Sequence, residues 1–293
     1  MKLYKTVITP VSNFATPLMG DTLFGQICWA IRYLYGNSRL NELLENYKTE
    51  PFLIISDSMP NGYLPKPSLP SSFLGEDSKK KKDNRKKIWL TLDELQNGDF
   101  LKARRDEDID NEDETIVTIR NSINYKTFKT EKDRFTPYGE VEIKLSPKDV
   151  YFLIDEKSFT LKKLEESLGF VKDMGYGKDT TIGKGRFEFS PFEEVNLKRE
   201  STTFMSLSPF SPQGLKCKDI FYEPFTKFGK HGAELANKNP FKRPLLLANS
   251  RSVVLFEETK DIQYLGKAIK GHSAFNETVH QGFSIVVPIK ELL

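Results

Sequence analysis

The spacing of apolar positions changes several times along the chain, and each change marks an element. KLYKTVITPV (2–11) is β-branched and aromatic and reads as a strand. GDTLFGQICWAIRYLYG (20–36) puts Leu23, Ile27, Ile31 and Leu34 at helical spacing, with Gly36 placed to stop the helix. Asp21 is the expected N-cap, its carboxylate accepting from amides of the first turn. PFLIIS (51–56) is a second strand, and the proline-rich GYLPKPSLP (62–70) is extended. A period of two returns in TIVTIRNSINYKTF (115–128) and EVEIKLS (140–146), on either side of KTEKDRFTPYG (129–139). These segments predict a long hairpin with a basic tip. VYFLID (150–155) is a further strand, and TLKKLEESLGFVKDM (160–174) an amphipathic helix with Leu161, Leu164, Leu168 and Val171 on one face. GRFEFSPFEEV (185–195) leaves the following glycine-rich stretch as a strand.

This order fits a βαββαβ ferredoxin-like unit with an elaborated middle. The remaining apolar runs, at 202–212, 243–258 and 282–289, are strand-rich and read as a second, degenerate α+β unit. The expected fold is therefore α+β with two ferredoxin-like (RRM-like) domains. The first spans 1–198 and carries an insertion and hairpin at about 70–146; the second spans 199–293. A chain of 293 residues is long enough for two ordinary cores.

Composition narrows the function classes. Hydrophobic residues are 38% and charged residues 29%, and no apolar run approaches the ~20 residues of a membrane span. The N-terminal MKLYKTVITPVSNF lacks the apolar core of a leader, so a cytoplasmic protein is expected. Cys28 and Cys217 form no CxxC pair, which excludes a disulfide framework and a cysteine-rich zinc site. The net charge of +3 does not by itself indicate nucleic acid, so the local distribution has to decide.

That distribution is uneven. KKKKDNRKK (79–87) is almost entirely basic and RRDEDIDNEDE (104–114) almost entirely acidic, and such runs are usually mobile, solvated surface segments. Asp106, Asp108 and Asp110 imitate the start of an EF-hand loop, but Asn111 stands where glycine is needed and Val117 where glutamate is needed. The three histidines, His231, His272 and His280, have no metal spacing; His272 and His280, which flank a loop before the last strand, read as surface residues or phosphate contacts. Asp21 is either a helix cap or a lone carboxylate of a metal-dependent nuclease. No cofactor and no metal are expected.

MGYGKDTTIGKGRF (174–187) invites comparison with nucleotide loops and fails it. Gly177 and Gly183 have the wrong separation for a Walker loop, and Lys184 is followed by Gly185. A helix enters and a strand leaves, so there is no helix N-terminus to hold a pyrophosphate. Two readings remain. One is a plain connection. The other is a backbone-binding loop, with Gly175, Gly177, Gly183 and Gly185 allowing close approach and Lys178, Lys184 and Arg186 neutralising phosphate. In the hairpin, Arg120, Lys126, Lys129, Lys132 and Arg134 interleave with Tyr125, Phe128, Phe135 and Tyr138. That mixture suits single-stranded nucleic acid, unless the aromatics pack inward. The segment from Lys216 to Arg251 is a second, weakly basic region.

Taken together, GDTLFGQICWAI, LPKP (64–67), RNSINYKTF, GYGKDTTIGKGRFEF, FMSLSPFSP (204–212), NSRSVV (249–254) and HQGFSIVVPI (280–289) resemble the RAMP superfamily of CRISPR proteins. Within it they are similar to the fourth Csm subunits, which cap the 5′ end of the crRNA in type III-A effector complexes. The resemblance covers most of the chain and leaves out 70–114. It implies a non-catalytic RNA-binding scaffold for antiviral defence, with the crRNA 5′ tag, the large polymerase-like subunit and an adjacent RAMP backbone subunit as partners. By position, it puts the glycine loop on tag phosphates and Arg120, Asn121, Tyr125, Lys126 and Arg134 in a thumb that kinks the guide. Lys66 of LPKP, Ser250 and Arg251 become further tag-side residues. The alternatives are a RAMP endoribonuclease that processes or cleaves RNA, and a general single-strand binder.

Overall fold

Strand β1 (Lys2–Pro10) is the centre of the first sheet in this computed structural model, which describes residues 1–130, 136–197, 200–237 and 239–292. It leads into α1 (Gly20–Tyr35), α2 (Asn37–Glu45) and β2 (Leu53–Ile55). After a long insertion the chain continues through the hairpin strands β3 (Glu114–Arg120) and β4 (Tyr138–Lys144), then β5 (Lys148–Ile154). Helix α3 (Leu161–Met174) and strands β6 (Phe187–Phe189) and β7 (Glu193–Glu194) complete the unit. The sheet runs β7–β1–β5–β2, with β6 also on β1 and all pairs antiparallel. Numbering the four βαββαβ strands in chain order, that is 4-1-3-2, the ferredoxin-like arrangement. Phe24, Ile27 and Ile31 of α1 and Leu164 and Leu168 of α3 join the same buried core as Leu53, Ile55, Phe152 and Ile154.

The second half repeats this order with simpler connections. Its strands are β8 (Glu200–Ser206), β9 (Asp219–Phe221), the hairpin β10 (Pro224–Lys227) and β11 (Leu245–Ala248), β12 (Val253–Asp261), β13 (Tyr264–Gly266) and β14 (Phe283–Pro288). The sheet reads β9–β12–β8–β14–β13, so its first four strands are again 2-3-1-4. Among the described residues no helix lies in either crossover, which is the physical content of a degenerate unit. Without helices, both sheet faces bury side chains. Met205, Val253 and Val287 enter the core shared with the first unit, while their neighbours Phe204, Val254 and Val286 form a second cluster on the opposite face. The buried side chain of Gln281 donates to the Ile55 carbonyl (2.7 Å) and accepts from the Ile55 amide (3.0 Å), pairing the exposed edge of β2 as a strand would. The expected domain boundary, Lys198 and Arg199, lies outside the described residues. No helix among the described residues is long and apolar enough to cross a membrane.

Several local expectations are corrected. The N-cap position of α1 is Met19; Asp21 lies inside the helix, and Asp57, arriving after β2, accepts from the Gly20 amide at 3.0 Å. A side chain on Gly20 would fall 2.2 Å from the Ile55 carbonyl oxygen, so only glycine lets α1 start this close to the sheet. Leu34 points outward, and Phe24 and Ala30 take the buried positions.

The charged insertion is folded. Leu64–Pro65 pairs with Trp89–Leu90, a capping box of Thr91 and Glu94 starts the helix Leu92–Asn97, and Leu90, Leu95 and Phe100 enter the core. One ion pair joins the basic and acidic runs, and the acidic run is otherwise tied to the fold around it. Arg105 pairs with Asp83, Arg104 makes a bidentate pair with Glu94 (2.7 and 2.9 Å), and Asp106 accepts the Trp89 indole N–H.

Candidate nucleic-acid interface

The segment 11–18, between β1 and α1, supports both the hairpin and the glycine loop. Phe14 exchanges backbone hydrogen bonds with Ile143 of β4 (2.8 and 2.7 Å), which docks the base of the hairpin. On its other side, Asn13 O accepts from the Gly185 amide, Ser12 Oγ from Arg186 N, and Thr16 Oγ1 from Lys178 N. Loop and hairpin are therefore neighbours across one short strip of chain.

The glycine loop follows α3 and is built around Tyr176. That ring is fully buried; its hydroxyl donates to Pro17 O (2.7 Å) and accepts from Met19 N (3.0 Å), directly below the start of α1. The Tyr176 amide donates to Gly185 O, closing the loop on itself. Gly185 has φ +71°, and a side chain there would meet Tyr176 O at 2.0 Å. A side chain on Gly175 would meet Lys184 O at 2.9 Å, and one on Gly177 would meet Thr16 Cβ at 2.6 Å, both at positive φ. Three of the four glycines are thus required by the chain's own packing, and only Gly183 (φ +87°) faces open space.

The cations of the loop do not stand free. Lys184 Nζ lies 2.5 Å from Glu142 Oε2, and Lys178 pairs with Glu140 and Asp179, each at 3.0 Å. Arg120 of the hairpin turns to the same strand, with Nε 2.5 Å from Glu140 and Nη2 3.2 Å from Glu142. The Glu142 side chain is 5% exposed. Lys184 above all, then Asn13 and Arg120, hold its carboxyl down at about 2. Arg186 is different: among the described residues its guanidinium has no ionic or hydrogen-bonded partner.

Beyond its anchored base the hairpin presents aromatics to solvent. Tyr125 is 89% and Phe128 81% exposed, with Lys126 and Lys129 beside them. These two rings do not pack inward. Asn121 is exposed as well, and Arg134 lies outside the described residues. The alternation of β3 and β4 explains the two faces. Arg120, Glu140 and Glu142 turn toward the loop, while Val117, Ile119 and Val141 on the other face are exposed.

The remaining sequence-derived residues sit elsewhere. Lys66 is buried against the insertion, 2.5 Å from Glu76 and 2.8 Å from the Asn84 carbonyl. Arg251 adopts φ +69° in the turn before β12, pairs with Glu223 at 3.6 Å, and accepts a backbone bond from Ser68. Ser250 shares that turn, its amide bonded to Asn249 Oδ1. None of the three is hydrogen-bonded to the loop or hairpin among the described residues.

Asp21 and the histidines are brought together below the surface. Lys227 of β10 approaches Asp21 Oδ1 at 2.7 Å, and His280 Nε2 is 3.7 Å from Oδ2. Burial opposes ionisation of Asp21, yet Lys227 and His280 hold its carboxyl below the ordinary range. Burial also lowers His272 and His280 to about 4 and raises Asp57 to about 7. All three histidines are buried, for His272 and His280 contrary to the surface reading, because the second unit closes over α1. No group of three or more His, Cys, Asp or Glu among the described residues has metal-binding geometry. Sequence reasoning missed Asn13, Thr16, Glu140 and Glu142; only the period-two spacing of the two glutamates hinted that they share a face.

The sequence profile of the RAMP superfamily matches residues 12–188, which holds α1, the hairpin and the glycine loop. No curated protein sequence matches the chain. Among solved structures, a chain of the Csm1–Csm4 cassette in complex with pppApA superposes with a TM-score of 0.62 at 16% identity, covering 100% of this chain and 99% of that one. A chain of the Csm3–Csm4 subcomplex of the type III-A CRISPR-Cas interference complex gives 0.61 at 20% identity, covering 99% and 100%.

Proposed function

Because the chain belongs to the RAMP superfamily, we propose that it is a non-catalytic RNA-binding subunit of a type III CRISPR effector complex. In this reading it caps the repeat-derived 5′ tag of the crRNA and joins the large polymerase-like subunit to the first backbone subunit. The observation that carries it is the agreement of fold over the full length with chains from the Csm1–Csm4 cassette and the Csm3–Csm4 subcomplex. The hairpin supplies what a single strand needs at its tip: Tyr125 and Phe128 as stacking faces, with Lys126 and Lys129 for phosphates. Arg186 extends the cationic track to the glycine loop.

The scaffold reading over the endoribonuclease reading rests on where the titratable groups lie. Asp21 and His280 are both buried, and Asp21 is engaged by Lys227, so neither faces a strand lying on the loop and hairpin. The deciding experiment compares purified protein with tag-bearing and scrambled RNA of equal length, with and without Mg²⁺. Preference for the tag without strand cleavage is expected. Cleavage abolished by Asp21→Ala or His280→Ala would overturn the scaffold reading. Equal affinity and equal salt slopes for both RNAs would replace tag recognition by general single-strand binding.

A further inference from the structure

Four donors from three chain segments converge on two carboxylates of strand β4. Glu142 accepts from Asn13 Nδ2 at 3.0 Å and from Arg120 Nη2 at 3.2 Å and is ion-paired with Lys184 at 2.5 Å; Glu140 accepts from Lys178 at 3.0 Å and is ion-paired with Arg120 Nε at 2.5 Å. Lysine, arginine and a side-chain amide are also the donors that hold a phosphodiester, which carries one negative charge and accepts from the same groups as a carboxylate. We infer that Glu140 and Glu142 occupy a phosphate-binding subsite in the RNA-free protein, and that an RNA backbone enters it by displacing them. The inference rests on the RNA-binding reading for the identity of the displacing ligand.

Two features support exchange over a fixed brace. The cluster is neutral, with Arg120, Lys178 and Lys184 against Glu140, Glu142 and Asp179, although it lies between the two elements best suited to meet RNA. An open cationic groove would attract any polyanion, whereas one filled by internal carboxylates yields only to a ligand that gains contacts elsewhere, here at Tyr125 and Phe128. The hairpin is also mechanically suited to move. Its backbone is docked at Phe14 and Ile143; beyond that base, the ionic contacts to the glycine loop among the described residues are Lys178 with Glu140 and Lys184 with Glu142.

The test uses the intact chain as wild type, Glu142→Gln and Glu140→Gln. Glutamine keeps size and an acceptor and removes the charge. Binding of tag-bearing RNA, scrambled RNA and inorganic pyrophosphate is titrated over a salt series, with thermal unfolding alongside. Glu142→Gln should bind scrambled RNA and pyrophosphate about tenfold more tightly, the scale of one charge-assisted hydrogen bond. Its RNA salt slope should steepen by about 0.7, one further phosphate contact. Preference for the tag should fall. Equal or weaker binding of all three ligands would overturn the inference and leave Glu142 as a brace for Lys184 and Arg120. If Glu142→Gln does not fold, Glu140→Gln must show a smaller gain in the same direction, and no gain there overturns it equally. Failure of tag recognition would appear in the wild type as equal affinity for both RNAs, while the pyrophosphate comparison stands independently of it.

Discussion

Lys227 Nζ lies 2.7 Å from Asp21 Oδ1, joining helix α1 of the first unit to hairpin strand β10 of the second through a nearly dry ion pair. Thr22 Oγ1 accepts a second bond from the same ammonium at 3.0 Å. Removing the lysine leaves the buried Asp21 carboxylate with the Thr22 hydroxyl, which donates to Oδ1 at 3.1 Å, and with a His280 that burial keeps neutral near pH 7. Lys227→Ala should therefore lose about 3 kcal/mol in urea unfolding, the usual result of orphaning a buried charge. The double variant Asp21→Asn, Lys227→Met should recover much of that loss. A loss under ~1 kcal/mol for the single variant would mean that water reaches Asp21 and the pair is a surface one.

The histidines and Asp57 make opposite contributions to pH stability. His272 and His280 are held to about 4, so between pH 6.5 and 4 the unfolded chain binds protons that the folded chain refuses. Stability from this source is full above pH 6.5 and is lost as pH falls. Asp57 is raised to about 7, so across much of the same window the folded state keeps a proton that the unfolded state has released. Its contribution falls as pH rises. Asp57→Asn keeps an oxygen to accept from the Gly20 amide and removes the titration. Its stability should climb more steeply with pH between 4 and 6.5 than the wild type's, by about 1.4 kcal/mol per pH unit for the one uncompensated proton. Parallel profiles by chemical denaturation would refute the assignment.

The glycine loop gives a paired test of why its glycines are there. Gly183 and Gly185 both have positive φ, but only at Gly185 would a side chain strike backbone, 2.0 Å from Tyr176 O. Gly183→Ala should cost about 1–2 kcal/mol, the left-handed penalty alone. Gly185→Ala should cost ~3 kcal/mol or more and disturb the buried Tyr176, visible in near-UV circular dichroism. Equal costs would place the constraint in φ and not in packing.

How much of this could be read from the sequence depends on the range of the interaction. The periods of α1 and α3, Gly36 as a stop and the polarity of the glycine loop are local, and the structure carries each of them. The βαββαβ succession was legible from the order of elements, and the structure closes it with the strand order 4-1-3-2, one of few topologies open to such a unit. What failed was tertiary. Asp57 caps α1 from 37 residues away, and no local rule prefers it to Asp21. The runs at 79–87 and 104–114 look solvated one at a time, because neither shows that Arg105 will find Asp83. Lys184 and Arg120 carry the right charge for phosphate, yet the sequence does not reveal that Glu142 meets them first.

The hairpin tip separates binding from stability. Tyr125 and Phe128 contribute almost nothing to the core, so Tyr125→Ala and Phe128→Ala should unfold within about 0.5 kcal/mol of wild type. If each stacks on a base, each substitution should weaken RNA binding by about 1–3 kcal/mol, with little change in salt slope because no phosphate contact is lost. Unchanged affinity in fluorescence anisotropy would remove the tip from the RNA site.

The insertion separates them in the other direction. Leu95 is fully buried, its carbonyl accepts from Lys290 N at 3.2 Å, and Phe73 packs on Phe221 with ring centres 5.5 Å apart. The insertion thus ties the first unit to the second sheet and the C-terminal segment. Leu95→Ala should cost about 2–5 kcal/mol, and excision of 79–114 should destabilise the whole chain, since it also removes Leu90 and Phe100 from the shared core. By contrast, Lys79, Lys80, Lys81 and Lys82 are exposed and form no ion pair among the described residues. Replacing all four with serine should leave unfolding within about 1 kcal/mol of wild type and RNA affinity within a factor of ~3 at 150 mM salt. A much larger loss of affinity at unchanged stability would mean that the lysine run holds phosphate, and the RNA path would then extend from the hairpin onto the insertion.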